Sequence, residues 1–280
     1  MADDTTPYNR IKQASSHNSF QTVDDHGRPN PTVHEQLTAG IRSIEYDIHA
    51  DDTPGHWRVY HDDDLTQTHC QWLYGCLNTL SDWRSQNRNR NVVTVWLDVM
   101  DPFVVTHTPS HLDALITSVI DPAWIYKPRD LMSRPWQDFP PQNLQDAAHR
   151  SGWPAVGELR GKFIFVLTGG HLAGSNAGNY LTSLADSVER LCFVAVPVNS
   201  GNNCSPDAER YFLPAFYNFY KHCTFSRDLL SLHVVSRVWC DTKKDDFVIQ
   251  DWVNPAYECY NHIATDNYRD FMTGFADLPC

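Results

Sequence analysis

The 280-residue chain predicts a single α/β domain, a distorted TIM-type (β/α)8 barrel over residues 1–280, and three observations carry that expectation. Short β-rich runs alternate with amphipathic helical patterns, as parallel β/α units require. Seven such runs can be read, which suits a closed barrel better than an open sheet. Apolar residues make up 41% of the chain, with 9 Trp, 12 Tyr and 13 Phe. That is enough for one large core, and no low-complexity run or fixed-period repeat interrupts it.

In order, the strand-like runs are IRSIEYDIH (41–49), WRVYH (57–61), VVTVWLDV (92–99), KFIFVL (162–167), LCFVAVPV (191–198), LHVVSRVW (232–239) and YNHIAT (260–265). Helices are expected between them. PTVHEQLTAG (31–40) has Val33 and Leu37 one turn apart and ends in Gly40, the mark of a glycine-capped helix. SHLDALITSVI (110–120) offers Ser110 as N-cap, then Leu112, Leu115, Ile116 and Val119 along one face. NYLTSLADSVERL (179–191) repeats the scheme. The aromatic YFLPAFYNFY (211–220) reads as an amphipathic helix packed on the barrel, with contact at a bilayer boundary as the other use of the same rings.

Charge narrows the function classes. The formal net charge is -12, Lys and Arg total 22, and the basic cluster RSQNRNR (84–90) stands alone. Nucleic acid and electrostatic attraction to an anionic bilayer are both disfavoured, because each needs concentrated positive charge. No apolar run approaches the roughly 18 residues of a transmembrane segment. Met1 and the ADDTTP after it read as an expression start placed before a mature domain. The 8 cysteines are even in number and contain no C-x-x-C pair, which reads as disulfides in a secreted protein. Cys70 and Cys76 are spaced to clip a local loop, and Cys280 to tie down the C-terminus. The sequon Asn203-Cys204-Ser205 fits a secreted source.

The polar residues cluster at strand ends. In IEYDIH the alternation puts Glu45, Asp47 and His49 on one face. Two carboxylates and an imidazole there suit a hard divalent cation; the alternative is a strand with one face in water. Asp98 ends the apolar VVTVWLD, where a buried unpaired charge would be costly. It is either a further metal ligand at a barrel mouth or a cap for the following turn. His61 follows WRVY and can exchange a proton near neutrality, although it is one of 14 histidines. His17 and Asn18 stand side by side in SSHNSF. The order is more specific than any member: His-Asn, then Glu-x-Asp beginning 28 residues after the histidine, a histidine 14 beyond the aspartate and an acid 37 beyond that.

That order resembles the phosphatidylinositol-specific phospholipase C superfamily, most closely its secreted, calcium-dependent members. The matching pieces are SSHNSF, GIRSIEYDIH, VYHDDDL and VVTVWLDV, read as the ends of four consecutive barrel strands. GWPAVGELRGKFIFVL (152–167), SRVW (236–239) and HIATDNY (262–268) extend the likeness over nearly the whole chain. The resemblance implies His17 and His61 as the acid–base pair, and Asn18, Glu45, Asp47 and Asp98 as holders of Ca²⁺, with Mg²⁺ as the alternative ion. Either His17 or Glu45 would take the proton of the inositol 2-hydroxyl, and His61 would protonate the departing diacylglycerol oxygen, giving a cyclic inositol phosphate.

Arg237 in SRVW shares a strand face with Val235 and Trp239. The resemblance assigns it, with His49, to substrate contact; the competing reading is a structural ion pair inside the barrel. Intracellular relatives carry lysines after the strand similar to KFIFVL, where this chain continues LTGGH, so the expected head group is the unphosphorylated one. The expected partner is phosphatidylinositol or a related phospholipid at a membrane surface, met by a peripheral monomer. Two rivals stand beside this reading: a glycerophosphodiester or sphingomyelinase D-like phosphodiesterase on the same barrel, and a barrel that binds inositol phosphates or glycans without turnover. Asn18 favours the first reading over phospholipase D relatives, and the paired histidines argue against a pure binder.

Overall fold

Eight parallel strands close on one another in the computed structural model of the chain, which describes residues 3–24, 27–61, 65–136, 139–169, 176–198, 212–220, 232–239, 260–266 and 278–279. The barrel strands are Ile11–Ser16 (β1), Ser43–Ala50 (β2), Val93–Val99 (β4), Phe163–Thr168 (β5), Phe193–Val198 (β6), Phe216–Tyr220 (β7), Val235–Trp239 (β8) and His262–Thr265 (β9). Closure is uneven. β1 runs beside β9 from Gln13 to Ser16 but meets β2 only through Ser15 and Ser43, whose hydroxyls bond at 2.8 Å. The pairings β5 with β6 and β8 with β9 span two residues each. The expected distortion therefore lies in those three seams. A two-residue strand, Leu278–Pro279 (β10), runs antiparallel to the start of β1.

One expected barrel strand is not one. WRVYH contributes Trp57–Val59 (β3), which folds back antiparallel on the outer half of β2 and stays outside the barrel. The reason is length. Only six residues separate β2 from β3, too few for the crossover that a parallel neighbour needs. β4 takes the place beside β2, in register from Ser43 with Thr94 to Ile48 with Val99.

Alternation divides each strand between two environments. Trp96, Val166, Phe193, Ala195, Phe216 and Val235 fill the interior. Their neighbours Val95, Leu97, Phe165, Val196 and Phe219 face the helical layer. Trp153 seals the amino end of the barrel, its ring 5.3 Å from Tyr8 and 5.4 Å from Phe216. All these positions are essentially inaccessible to water.

The helices follow local rules. Val33–Ala39 (α1) starts at a capping box of Thr32 and Glu35 and stops at Gly40, whose φ of 121° suits glycine. Leu73–Gln86 (α2) buries Leu77, Leu80 and Trp83, and its basic tail belongs to the run read above only as a charge cluster. Pro109–Val119 (α3) is capped by Thr108, not Ser110, because Pro109 fits the first helical position and the Thr108 hydroxyl accepts from the His111 N–H. Pro128–Met132 (α4), Leu144–Arg150 (α5) and Leu184–Glu189 (α6) are short. The expected helix in 211–220 is not formed: Phe216–Tyr220 is a barrel strand, β7, and Tyr211 lies outside the described residues. Phe216 and Asn218 point inward while Tyr217 and Phe219 point outward, so a strand buried on both faces shows aromatics on both and imitates a helix.

Cys70 and Cys76 form the expected local disulfide. Cys192 is a free, buried thiol, so the pairing of all cysteines does not hold; Cys204, Cys223, Cys240, Cys259, Cys280 and the sequon at Asn203 lie outside the described residues. Burial and the nearby Arg237 charge push the His262 imidazole down to about 3, and its Nε2 bonds the Tyr8 hydroxyl at 3.1 Å. The unfolded chain takes up this proton near pH 6.5 while the folded barrel refuses it until about pH 3. Stability contributed by the neutral ring is thus full above pH 6.5 and lost as pH falls, by up to about 1.4 kcal/mol per pH unit. Urea midpoints of a His262→Gln variant should fall less steeply between pH 6 and 4, values chosen as roughly spanning that window. Equal slopes would show that His262 is not the group refusing the proton.

Candidate active site

The carboxyl ends of the barrel strands carry the polar side chains. β2 supplies Glu45 and Asp47 from one face, and Asp98 on β4 is the direct register partner of Asp47. One oxygen from each of Glu45, Asp47 and Asp98 lies within 4.8 Å of the others. Glu45 and Asp47 are each 3% exposed, and Asp98 is partly buried. Three hard oxygen donors packed so closely repel one another unless a cation or protons neutralise them.

Their electrostatics are unequal. Burial acts to raise the Glu45 carboxyl, but Arg237, His17 and the Asn18 N–H outweigh it and hold it below the usual range. Burial dominates at Asp47 and, with the Glu45 charge, pushes it up despite the hydrogen bond from His61. One acid is held ionised and its neighbour resists ionisation, which is a deficit of positive charge. The residues fit a hard divalent ion.

Both expected histidines reach this cluster. His17 is buried, its Nε2 is 3.8 Å from Glu45 and its Nδ1–H donates to Asp266 at 3.0 Å. The ring stacks on Trp239 with centroids 5.1 Å apart. Burial alone would lower its pKa, but Asp266 and Glu45 prevail and raise it to about 10. His61 donates Nδ1–H to Asp47 at 2.8 Å, with its side chain 37% exposed at the mouth. Asn18 takes a left-handed conformation, φ 46°, tolerable for asparagine, which turns its N–H onto Glu45 at 3.1 Å.

Arg237 is fully buried among these groups. It donates Nη2–H to Glu45 at 2.7 Å and Nη1–H to Asn218 at 3.2 Å, with the guanidinium 5.2 Å from the Trp96 ring. Asn218 donates in turn to the Thr168 hydroxyl at 2.7 Å. His49 lies past the last β2–β4 pair, stacked on Tyr60 at 3.8 Å with Nδ1 3.5 Å from Asp101. It belongs to the rim and is not in the carboxylate cluster.

Residues 57–208, more than half of the chain, match the family described as phosphoinositide phospholipase C, Ca²⁺-dependent. The chain belongs to that family. The family is one of phosphodiesterases acting on phosphoinositide lipids, and the calcium dependence in its description implies a divalent cation. No curated protein matches the chain. Solved structures do. The calcium-dependent phosphoinositol-specific phospholipase C of a Gram-negative Pseudomonas sp is 21% identical, with a TM-score of 0.78 over 100% of this chain and 97% of its own. The Ca²⁺-dependent phosphatidylinositol-specific enzyme of Streptomyces antibioticus is 16% identical, with a TM-score of 0.73 over 98% and 99%. The phosphatidylinositol-specific phospholipase C of Listeria monocytogenes is 12% identical, with a TM-score of 0.50 over 98% and 96%. At such identities the likeness is one of fold.

Three contacts in the phospholipase were not singled out in the sequence, Asp266, Asn218 and Thr168, and Trp239 was named there only as a strand neighbour of Arg237. Asp266 continues the inward face of β9 two residues beyond Ala264, so alternation pointed to it. Asn218 was hidden by the helical reading of its strand. The buried pair gives a stability test. Arg237→Met in cation-free protein should cost about 3–5 kcal/mol, because Glu45 is left buried and uncompensated. The double variant with Glu45→Leu should recover most of that loss in urea unfolding. Strictly additive losses would mean that the two side chains are not coupled.

Proposed function

We propose that the chain is a secreted, monomeric phospholipase C that cleaves phosphatidylinositol to diacylglycerol and a cyclic inositol phosphate, using Ca²⁺ in preference to Mg²⁺. One observation carries this reading. Two imidazoles and three carboxylates, drawn from β2, β4 and the segments after β1 and β3, meet at one end of one barrel. The local disulfide supports an oxidising compartment, and no described helix is long and apolar enough to cross a membrane.

Glu45, Asp47 and Asp98, with Asn18, would hold the cation. When bound, it would supply positive charge beside the phosphoryl oxygens and acidify the inositol 2-hydroxyl. His17 is anchored on Asp266 through Nδ1, with Nε2 3.8 Å from Glu45. Glu45, held toward ionisation by Arg237, has a lone pair for the 2-hydroxyl proton, and His17 is the alternative base once a bound cation offsets the acids that favour its charged form. The 2-oxygen then attacks phosphorus as the bond to the diacylglycerol oxygen breaks. Asp47 accepts from His61 Nδ1–H and so supports the doubly protonated ring, whose Nε2–H then passes its proton to that oxygen, leaving the neutral Nδ1–H form. Arg237 contributes from beneath, through Glu45, and His49 lines the rim on which the ring would rest.

The unphosphorylated head group is supported by the sequence leaving β5, which continues Thr168-Gly169-Gly170-His171 without a lysine. His61→Ala should lower turnover of phosphatidylinositol vesicles by about 10² to 10⁴, with Ca²⁺ binding by calorimetry nearly unchanged. EDTA should abolish wild-type turnover, and phosphorus NMR should show a cyclic phosphate first. Surviving activity in the variant would remove His61 from the acid role. Release of free choline or glycerol 3-phosphate would favour the phospholipase D or glycerophosphodiesterase readings.

A further inference from the structure

The basic run RSQNRNR (84–90) takes no part in the chemistry above, and the fold gives it a neighbour. Arg84 lies in the last turn of α2, and residues 87–91 lead into β4. Residues 160–162 lead into β5 and pack against both. The Gly161 N–H donates to the Arg90 carbonyl at 2.8 Å, Arg84 Nε–H donates to the Gly161 carbonyl, and Arg160 Nη1–H donates to the Asn89 carbonyl at 2.8 Å. Because these segments precede their strands, they sit at the amino end of the barrel, roughly 20 Å along β4 from Asp98.

Gly161 is the point of contact. Its φ is 66°, and a Cβ there would collide with the Arg88 carbonyl and come within 2.6 Å of Arg84 Nη2, so only glycine lets the arginine run lie this close. Arg84, Arg88, Arg90, Arg160 and Lys162 are thereby gathered on one small area of a chain whose net charge is -12. Lys162 Nζ–H and the Arg84 guanidinium both lie over the 123–124 turn, the first on the Ala123 carbonyl and the second 4.9 Å from the Trp124 ring.

Charge balance sets this area apart. Elsewhere Arg28, Arg58, Arg129, Arg150 and Arg190 each reach an acid. Among the described residues no acid pairs with Arg84, Arg88 or Arg90, and Asp4 at the edge is taken by Arg160. Burial and the Arg88 charge lower the Arg84 pKa, as two like charges held together require, and Arg84 Nη1 is buried with no acceptor among the described residues. Guanidinium forks kept side by side without a carboxylate suit a tetrahedral oxyanion, which accepts from both and relieves their repulsion. A nucleic-acid strand would draw on a longer basic track. We propose that Arg84, Arg88 and Arg90, gathered around Gly161, form a second anion site that takes the phosphate group of a soluble ion or ester and clamps α2 to the entrance of β5. The site is separate from the carboxylate cluster and does not rest on the lipid-cleaving function given above.

The test is calorimetric titration of inorganic phosphate, and separately of glycerol 2-phosphate, into the full chain in EDTA at a fixed ionic strength of about 0.15 M. Wild type should show saturable binding of inorganic phosphate. Arg88→Gln and Arg90→Gln, both at exposed positions that the fold does not need, should each weaken it about fivefold or more, the loss expected of one exposed charge partner. Arg129→Gln, which removes an equal charge from an exposed pair on α4, should leave the affinity unchanged. Arg88-dependent binding of both probes extends the site to esters, and of inorganic phosphate alone narrows it to the free ion; either supports the site. No saturable binding to wild type, unchanged affinity in both Arg88→Gln and Arg90→Gln, or equal weakening in Arg129→Gln would overturn it. Lipid turnover does not enter the readout, so a failure of the enzymatic function would be seen separately.

Discussion

The contact on which the site depends is the buried ion pair between Glu45 and Arg237. A guanidinium fully removed from water needs its charge met: Glu45 and Asn218 take one Nη donor each and the face of Trp96 lies 5.2 Å away, while Nε–H has no partner among the described residues. In return the pair holds Glu45 ionised inside the barrel, beside an Asp47 that burial discourages from ionising. The interior packing of β7 and β8 thus determines the charge state of a residue on β2. A cation between these acids and Asp98 would complete the balance that Arg237 begins.

The same logic separates the two histidines. His17 is sandwiched between Trp239 and Asp266, both far away in sequence, and the acids beside it favour the charged ring. His61 reaches Asp47 from a short antiparallel strand outside the barrel and keeps a third of its side chain in water. Such asymmetry suits unequal roles in the proposed chemistry, one ring fixed beside the reacting phosphate and the other able to exchange its proton with solvent. The protein is acidic while its proposed substrate is anionic, so recognition must be local.

Much of this was legible before any coordinates. Alternation in IEYDIH placed Glu45 and Asp47 on one face; that the face is the inward one, and that Asp98 stands beside Asp47, came from the register of β2 with β4. The glycine stop of α1 and the Cys70–Cys76 clip were also readable, because both are set by neighbours within a few residues. What stayed hidden depends on contacts across the barrel. WRVYH looks like any barrel strand until its short connection to β2 is weighed, and FYNFY carries aromatics on both faces, so its periodicity is silent. The partner of Arg237 was left open between a substrate and an internal acid, since nothing local distinguishes a guanidinium aimed at a phosphate from one aimed at Glu45.

The central claim is that Glu45, Asp47 and Asp98 together form one divalent-cation site at the barrel mouth. Equilibrium titration of Ca²⁺ into wild-type protein and an Asp98→Asn variant, followed by calorimetry, examines it most directly. The account predicts a single saturable site in wild type that weakens at least about tenfold in the variant, as loss of one charged ligand should produce. Equal affinities, or no saturable binding to the wild type, would contradict it.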